Sequence, residues 1–273
     1  MLDSIADLSG KVALITGASR GIGEAIAYRF AQAGASVVVT ARTLDDGDHK
    51  LAGGINNVVE TIQNFGGTAT AIRADLGLED HREALIKTTE NRVGPVDILI
   101  NNAAVTYFTQ VASFSKKHYD LMFRVQVEAP FHLSQLVLPG MLESGNGSIL
   151  NISSHAAIHP AKDAGGRGGT VYGMCKASLE RLTTGLASEV YGRGVSVNVI
   201  SPGLVATPGT MHHHLITDET PDERVTPVAH MAEACLYLVS ADPLETTGWV
   251  AYADDLMSRF SLNPARLPPL QGL

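Results

Sequence analysis

The stretch TGASRGIG, Thr16 to Gly23, decides the fold of this 273-residue chain. It follows the apolar run at 11–16 and opens the helical pattern at 21–34, so it predicts a turn between a strand and a helix. Its glycines let the backbone turn sharply and let phosphate groups approach main-chain N–H groups at the positive end of the helix. The residues predicted to bind a dinucleotide there are Gly17, Ser19, Arg20, Gly21, Ile22 and Gly23. The alternative is a tight turn that binds no ligand.

Short β-type runs recur along the chain and are separated by helical patterns. After 11–16 they lie at 36–41, 68–74, 96–101, 147–153, 195–201 and 249–253. Most of these runs are continuously apolar, which is typical of strands buried on both faces of a parallel sheet. The order predicts an α/β fold: a doubly wound, Rossmann-type parallel sheet of about seven strands with helices on both faces.

The helical patterns indicate a single domain that spans residues 1–273. They lie at 21–34, 55–67, 78–94, 118–142, 171–192 and 226–240. Pro130 interrupts the fourth pattern, and a kink is predicted there. A tail follows at about residue 253, and it could contact a neighbouring subunit or close a substrate pocket.

Charge and composition exclude several classes of protein. The net charge of −8, without a block of lysine or arginine, argues against nucleic acid or an anionic membrane as the main partner. Cys175 and Cys235 form no disulfide framework, so a reducing, cytoplasmic location is expected. The first eleven residues do not resemble a signal peptide, and no segment approaches the roughly 18 apolar residues of a membrane-spanning helix.

The end of the second predicted strand indicates which dinucleotide binds. An NAD site would place an acid near this tip to hydrogen-bond the adenosine ribose, but the strand ends at Arg42. Asp45 and Asp46 follow a few residues later and could be mistaken for that acid. Because a guanidinium suits a 2′-phosphate, Arg42 and Arg20 favour NADP(H) over NAD(H). The alternative is that both arginines are solvated surface residues.

Tyr172 and Lys176, in VYGMCKAS, lie four residues apart and therefore share a helix face. Taken alone, they could be unrelated surface residues with solvated tips. Ordered motifs elsewhere give them partners: TGASRGIG, Asp75 in RADLG, NNAA at 101–104, NISS at 151–154, and PGLVAT at 202–207. With these motifs, the chain resembles the short-chain dehydrogenase/reductase family, in its shorter, single-domain branch, from about residue 8 to about residue 252.

The resemblance implies an NADP(H)-dependent oxidoreductase that interconverts a carbonyl and an alcohol of a small-molecule substrate. It implies that Asp75 and Leu76 contact adenine, and that Asn102 and Ala103 line the cofactor and stabilise the sheet. The residues implied to hold the nicotinamide are Pro202, Gly203, Val205 and Thr207. The implied catalytic residues are Ser154, Tyr172 and Lys176, and the last two would also touch the cofactor.

Elementary chemistry is compatible with these implied roles. The nicotinamide carries the hydride, so the protein must supply a proton and stabilise charge on the substrate oxygen. Tyr172 would donate the proton, although the pKa of a free tyrosine is about 10. We expect the Lys176 cation to lower the pKa of Tyr172 and to hold the nicotinamide ribose hydroxyls. Ser154 can hydrogen-bond the substrate oxygen.

The sequence departs from the family pattern at two places near these residues. Gln126 stands where the family usually has an asparagine that holds a water in a proton relay to the lysine. Glutamine could preserve this relay through a shifted water, or it could merely pack the helix. The segment between Ser154 and Tyr172 is longer than usual and should form a flexible loop over the active-site mouth. It could recognise a polar or acidic substrate group, or be a solvated insertion; its basic residues are His155, His159, Lys162 and Arg167.

Residues 207–225, called the lid below, correspond to a mobile substrate lid in the family. His212, His213 and His214 lie in it, and consecutive residues rarely converge on one ion, so no metal site is predicted. His230 is predicted to lie on a helix near a subunit contact.

The resemblance also leaves alternatives for assembly and function. The fourth and fifth helices usually pair across a two-fold axis in the family, so a homodimer or tetramer is expected. Instead of an oxidoreductase, the chain could be an epimerase or lyase that uses the nucleotide transiently or not at all. It could also be an NADP-sensing protein without catalysis.

Overall fold

Seven parallel strands form one sheet in the computed structural model, which describes residues 6–164, 166 and 168–272. The strand order is β3-β2-β1-β4-β5-β6-β7, so the predicted Rossmann-type fold and its seven strands are confirmed. The strands are β1 (Val12–Thr16), β2 (Ser36–Ala41), β3 (Thr68–Arg73), β4 (Ile98–Asn101), β5 (Gly147–Ile152), β6 (Val195–Ser201) and β7 (Val250–Tyr252).

Helices cover both faces of this sheet. They are α1 (Gly21–Gln32), α2 (Ile55–Asn64), α3 (Glu79–Arg92), α4 (Lys116–Phe123), α5 (Ala129–Ser144), α6 (Thr170–Val190), α7 (Pro208–His212), α8 (Val228–Ser240) and α9 (Ala253–Arg259). Alternate residues of β1 enter opposite cores: Ala13 and Ile15 pack with α1 and α8, whereas Val12 and Leu14 pack with α3 and α5. This two-sided burial explains why the strands read as continuously apolar runs.

The strand order reverses direction between β1 and β4. The chain moves outward from β1 to β2 and β3, then returns to β4 on the other side of β1. At such a switch point, the loops after the two strands diverge and leave a crevice at the carboxyl ends of the strands. The glycine-rich turn after β1 therefore lies at the edge of that crevice.

The long helix predicted at 118–142 is divided into two helices by a π-helical turn. This turn, Arg124–Glu128, joins α4 to α5, and Pro130 stands in the first turn of α5. The predicted interruption is therefore present, but it lies on the amino-terminal side of the proline. Proline lacks the N–H that would continue the regular α-helical ladder, and a π-turn accommodates the shift.

The tail after α9 runs back across the surface towards the amino-terminal half of the chain. Gln32 Nε2 donates to Arg266 O at 3.0 Å, and Leu262, Leu267 and Leu270 pack against the core beneath α1 and α8. No described residue of this tail lines the cleft at the carboxyl edge of the sheet, and closure of a substrate pocket by the tail stays a prediction. Contact with another subunit stays a prediction.

No helix within the described ranges is both long enough and apolar enough to cross a bilayer.

A buried ion pair fastens α1 to α8. Arg29 Nε and Nη2 donate to the two Glu233 oxygens at 2.6 and 3.1 Å, and the side chains are 7% and 14% exposed. We expect Arg29→Met to lower the free energy of unfolding by about 3–5 kcal/mol, because it leaves a buried carboxylate without its cation. Urea denaturation measures this loss.

The exposed pair of Lys116 and Asp120 provides the control. Lys116→Met should cost less than about 1 kcal/mol, since solvent screens an exposed pair. The double variant Arg29→Met/Glu233→Leu should recover much of the lost stability. An Arg29→Met protein as stable as Lys116→Met would contradict a structural role for the buried pair.

Candidate active site

A cleft of about 690 Å³ opens at the carboxyl edge of the sheet, above the β1–β4 switch point. It brings together nearly all residues predicted for the site. Those that line it are Gly17, Ser19, Arg20, Gly21, Ile22, Arg42, Asp75, Leu76, Asn102, Ala103, Ser154, Tyr172, Lys176, Pro202, Gly203, Val205 and Thr207. Gly23 and Gln126 lie behind the wall of the cleft rather than in it.

The glycine-rich turn is held by the segment after β4. Asn102 Nδ2 donates to Thr16 O at 2.9 Å and to Gly17 O at 3.1 Å. A Cβ on Gly17 would lie 2.7 Å from Ala103 Cα, and one on Gly23 would lie 2.5 Å from Asn102 Nδ2. Contacts this close exclude any side chain at either position. The turn therefore keeps an open backbone cradle that fits the pyrophosphate of a dinucleotide.

The loop after β3 forms the predicted adenine end of the cleft. Asp75 Oδ1 accepts from Gly77 N at 2.9 Å, which fixes the carboxylate within its own turn. Arg82, whose side chain is 1% exposed, donates through Nη1 to Leu76 O at 2.8 Å and through Nη2 to Glu128 Oε1 at 2.7 Å. A buried guanidinium thus ties this loop to the start of α5.

Arg20 and Arg42 line the same side of the cleft, beyond the tip of β2. Arg20 Nη2 donates to Gly53 O at 2.9 Å, while Arg42 is exposed. Asp45 and Asp46 do not line the cleft, although they follow β2 closely. No carboxylate therefore stands at the tip of β2 where an NAD site would place one.

Tyr172 and Lys176 extend from α6 towards the end of β5, where Ser154 lies. Lys176 Nζ donates to Ile152 O at 2.7 Å and lies 5.6 Å from the centre of the Tyr172 ring. The neighbouring Ser153 directs its hydroxyl away, to Glu180 Oε1 at 2.7 Å. Of the two adjacent serines, Ser154 is therefore the one whose hydroxyl is available to Tyr172.

The expected lowering of the tyrosine pKa is wrong for the protein without bound ligand. Burial raises the pKa of Tyr172, and its hydrogen bond with Ser154 only partly opposes that rise. Burial also lowers the pKa of Lys176 from 10.5 to about 8, while the nearby Cys175 thiol acts weakly against this shift. Because the low-dielectric pocket disfavours both charged forms, the lysine cation does not dominate the tyrosine here.

Gln126 lies in the π-turn and braces the loop that follows β4. Its Nε2 donates to Val105 O at 2.8 Å, and its Oε1 is buried without a hydrogen-bond partner among the described residues. A buried amide oxygen without a partner is costly, and a bridging water would satisfy it. Its participation in a proton relay stays a prediction.

The predicted nicotinamide segment is packed from behind by the chain that returns from the lid. A Cβ on Gly203 would lie 1.9 Å from Thr226 Oγ1, so only glycine fits. Thr226 Oγ1 donates to Asp254 Oδ2 at 2.7 Å, and His230 Nδ1 lies 3.3 Å from Asp254 Oδ1. His230 thus supports this segment from α8 and does not reach the cleft.

Phe108 and His213 border Tyr172 at the expected substrate end. The ring centres of Phe108 and Tyr172 are 6.0 Å apart, and those of Phe108 and His213 are 5.2 Å apart. The long segment before α6 packs behind Phe108, since Thr109 N donates to Gly168 O at 3.1 Å.

The insertion itself contributes no described side chain to the cleft. His155 packs on the Tyr252 ring, with ring centres 4.9 Å apart, and His159 and Lys162 are exposed. Arg167 lies outside the described residues. His155, His159 and Lys162 therefore fit a solvated insertion better than a loop over the active-site mouth.

Sequence reasoning missed three contributors to the cleft and its walls. His49 and Lys50, in the loop after β2, line the cleft, and two basic residues so close to Arg42 were an available signal. Gln271 fastens the tail against this loop: Gly54 N donates to Gln271 Oε1 at 3.1 Å, and Gln271 Nε2 lies 3.3 Å from Ser19 O. Nothing in the local sequence signals that long-range contact.

Comparison with known proteins defines the class. Residues 11–215 match a family model described as short chain dehydrogenase. The 7α-hydroxysteroid dehydrogenase of Escherichia coli K12 is 37% identical over 245 residues, covering 85% of this chain and 88% of that protein. Dehydrogenase/reductase SDR family member 4 of Sus scrofa is 37% identical over 201 residues, covering 73% and 67%.

A solved structure extends the similarity to three dimensions. It is of a protein from Beutenbergia cavernae, provisionally assigned as an NAD(P)-dependent gluconate 5-dehydrogenase, with NADP bound at low occupancy. The two chains superpose with a TM-score of 0.78 at 30% identity, covering 92% of this chain and 97% of that one.

The fold, the glycine cradle and the cleft define an NAD(P)-type oxidoreductase that acts on hydroxyl or carbonyl groups. The chain belongs to the short-chain dehydrogenase/reductase family.

The buried lysine has a measurable effect on stability. Because the pKa of Lys176 is about 8 in the fold and 10.5 when free, the unfolded chain binds more protons between these values. Stability should therefore rise with pH in that window. We expect the difference in free energy of unfolding between wild type and Lys176→Met to change by about 1 kcal/mol in favour of wild type from pH 8 to pH 9.

Urea denaturation of the ligand-free protein at both pH values measures this difference. Lys87→Met, on an exposed position of α3, controls for loss of a surface positive charge. The free energies of unfolding of wild type and Lys176→Met could instead differ by the same amount at both pH values. That result would show that burial does not destabilise the charged form of the Lys176 amine.

Proposed function

We propose that the protein is an NADP(H)-dependent carbonyl reductase or alcohol dehydrogenase in which Tyr172 is the general acid and base. The observation that supports this most directly is the convergence of Ser154, Tyr172 and Lys176 at one end of a cleft whose other end carries Arg20 and Arg42. The proposal treats the chain as one catalytic domain, with residues 207–225 as the substrate lid.

The preference for NADP rests on charge at the tip of β2. Arg42 and Arg20 offer guanidinium donors there. The nearby Asp45 and Asp46 do not line the cleft, and they accept hydrogen bonds from Asn56 Nδ2 and Gly53 N. A guanidinium binds phosphate through charge-assisted, bidentate hydrogen bonds, whereas a ribose hydroxyl needs an acceptor such as a carboxylate. The bound NADP in the similar structure from Beutenbergia cavernae agrees with this choice.

Proton movement in the proposal follows from the geometry at α6. The bound nicotinamide supplies or accepts hydride. In the reductive direction, Ser154 donates a hydrogen bond to the substrate oxygen, and Tyr172 Oη transfers its proton to that oxygen as negative charge develops. Lys176 holds its ammonium beside the tyrosine and stabilises the phenolate that remains. The buried Gln126 oxygen is the candidate site for a water that returns a proton towards the lysine.

The ribose hydroxyls of a bound cofactor would complete the electrostatics of this site. Burial alone keeps the pKa of Tyr172 high and that of Lys176 near 8. Cofactor bound over Lys176 would give the ammonium hydroxyl acceptors, which favours its charged form. The cation would then act on Tyr172 as the sequence predicts.

The role of Tyr172 is tested by removing only its hydroxyl. We expect Tyr172→Phe to lower kcat by about 10²–10⁴-fold, because a positioned general acid contributes that much. The measurement is NADPH oxidation with a chemically diverse carbonyl library, together with the Kd of NADPH, which should be nearly unchanged.

Tyr191→Phe is the matched control, since Tyr191 is 62% exposed at the end of the same helix. Turnover by Tyr172→Phe at the same rate as by Tyr191→Phe would contradict the assignment of Tyr172 as the general acid and base. Turnover of substrate without net oxidation or reduction of cofactor would instead favour the epimerase or lyase alternative. Tight NADPH binding without turnover of any library member would favour the NADP sensor.

We also propose that the protein forms a homo-oligomer through α4, α5 and α6. An apolar groove of about 1140 Å³ lies among these helices, and Phe131 on its wall is 52% exposed. Its apolar residues are Phe123, Val127, Phe131, Leu138, Leu182 and Leu186. The rim carries both signs of charge, including Arg181 and Glu189, so a second copy related by a two-fold axis could pair its rim with this one.

Light scattering after size exclusion tests this assembly. We expect Phe131→Glu to shift the protein towards monomer, because it places a charge in an apolar interface core. Leu244→Glu changes an equally exposed residue on a loop away from the groove and should leave the mass unchanged. This interface is ruled out if the wild type is monomeric. It is also ruled out if the wild type is oligomeric and both variants keep its mass.

A further inference from the structure

The loop at 42–54, between β2 and α2, separates its acidic side chains from its basic ones. Asp46 and Asp48 accept hydrogen bonds from backbone N–H groups of the loop itself, at 2.9 and 3.1 Å. Asp45 accepts from the Asn56 side chain at 2.8 Å. None of these three carboxylates lines the cleft. The acids therefore shape the loop and leave its cleft side positive.

Five basic side chains meet on that cleft side. Arg20 Nη1 lies 3.2 Å from His49 Nδ1, and Lys50 Nζ lies 3.0 Å from His212 Nε2. Arg42 completes the set, and all five residues line the cleft. They come from the glycine-rich turn, the tip of β2, the loop and the lid. This is a concentrated positive charge in a protein whose net charge is −8.

The contacts within this set require neutral histidines. A protonated arginine or lysine can only donate, so His49 Nδ1 and His212 Nε2 must accept through their lone pairs. Partial burial lowers the pKa of His49, and the neighbouring Arg20, Arg42, Lys50 and His212 lower it further. Protonation of His49 would place its imidazolium against the Arg20 guanidinium unless an anion entered between them.

The other titratable groups near this set do not neutralise it. Those that face it are Glu24 from α1, Asp46 from the loop, and His213 and His214 from the lid. Glu24 already accepts from Tyr28 and Gln271, and Asp46 accepts from Gly53 N. The two lid histidines can add only positive charge. A dianionic ligand group is the partner that this arrangement lacks.

We propose that His49, Lys50 and the lid residue His212 join Arg20 and Arg42 in binding the 2′-phosphate of NADP(H), and that His49 takes up a proton as it binds. The inference rests on the proposed NADP preference and adds the residues that impose it. On binding, the His49 imidazole changes from acceptor to donor, with its new proton drawn from solvent. Since the Lys50–His212 contact joins loop to lid, the phosphate also holds these two segments together.

Isothermal titration of the full chain with NADPH and with NADH tests this coupling. The titrations are run at pH 8, where a 2′-phosphate with a second pKa of about 6 is already a dianion. Two buffers of different ionisation enthalpy give the number of protons exchanged. We expect NADPH to take up more protons than NADH, by about one. Equal proton exchange for the two cofactors would overturn the proposal.

Single variants identify the residues responsible. His49→Gln, Lys50→Gln and His212→Gln should each weaken NADPH binding by about tenfold, as loss of a charge-assisted hydrogen bond does, with little change for NADH. His49→Gln should also reduce the extra proton uptake. His159→Gln and Lys162→Gln, at exposed positions of the insertion, are the matched controls.

Adenosine 2′,5′-bisphosphate and adenosine 5′-monophosphate, used as probes, separate the 2′-phosphate from the rest of the cofactor. The variants should discriminate between these two probes less than wild type does. Equal weakening of both probes would assign the set to the shared phosphate and reject the proposal. A wild type that binds NADH as tightly as NADPH rejects the NADP assignment itself. Clear NADPH preference with unaffected variants rejects only the roles of His49, Lys50 and His212.

Discussion

One side-chain amide joins the two halves of the nucleotide-binding edge. Asn102 follows β4 and donates to the carbonyls of Thr16 and Gly17 at the end of β1. It spans the point where the strand order reverses, so it sets the width of the crevice that all later parts of the site share. Because Gly17 and Gly23 have no side chains, the turn can press against this amide and still present its N–H groups outward.

The features of this structure that could be predicted from the sequence are those that repeat along the chain or depend on neighbouring residues. Every predicted strand is present, because a strand that is buried on both faces needs apolar residues at consecutive positions, and such runs are visible in the sequence. The pairing of Tyr172 with Lys176 was visible because a helix brings i and i+4 together. The exact form of the break near Pro130 could not be predicted from the sequence, since a π-turn differs from a kink only in how the backbone hydrogen bonds shift. Contacts such as Lys50 to His212 join distant segments and leave no periodic signal.

The site shows the same electrostatic character at both ends. At the catalytic end, a lysine ammonium is buried against a carbonyl, and burial disfavours its charge. At the other end, Arg20 and Lys50 contact the imidazoles of His49 and His212, and the nearby carboxylates of Glu24 and Asp46 are engaged in hydrogen bonds with other groups. Local sequence reasoning placed Lys176, Arg20 and Arg42 at the site but missed Lys50. It also misjudged the effect of Lys176 on the pKa of Tyr172, since desolvation depends on the whole surrounding fold and not on the nearest charge.

The course of the carboxyl-terminal tail has a practical consequence for handling the protein. Gln271 contacts Ser19 and Gly54, so a purification tag joined to that end would begin beside the cleft proposed to bind the nucleotide. Leu8 instead hydrogen-bonds to Ala33 at the opposite, amino edge of the sheet. The first described residues of the chain are therefore far from the cleft. A tag on that side is expected to disturb the cleft less, so affinities measured on the two tagged forms are not interchangeable.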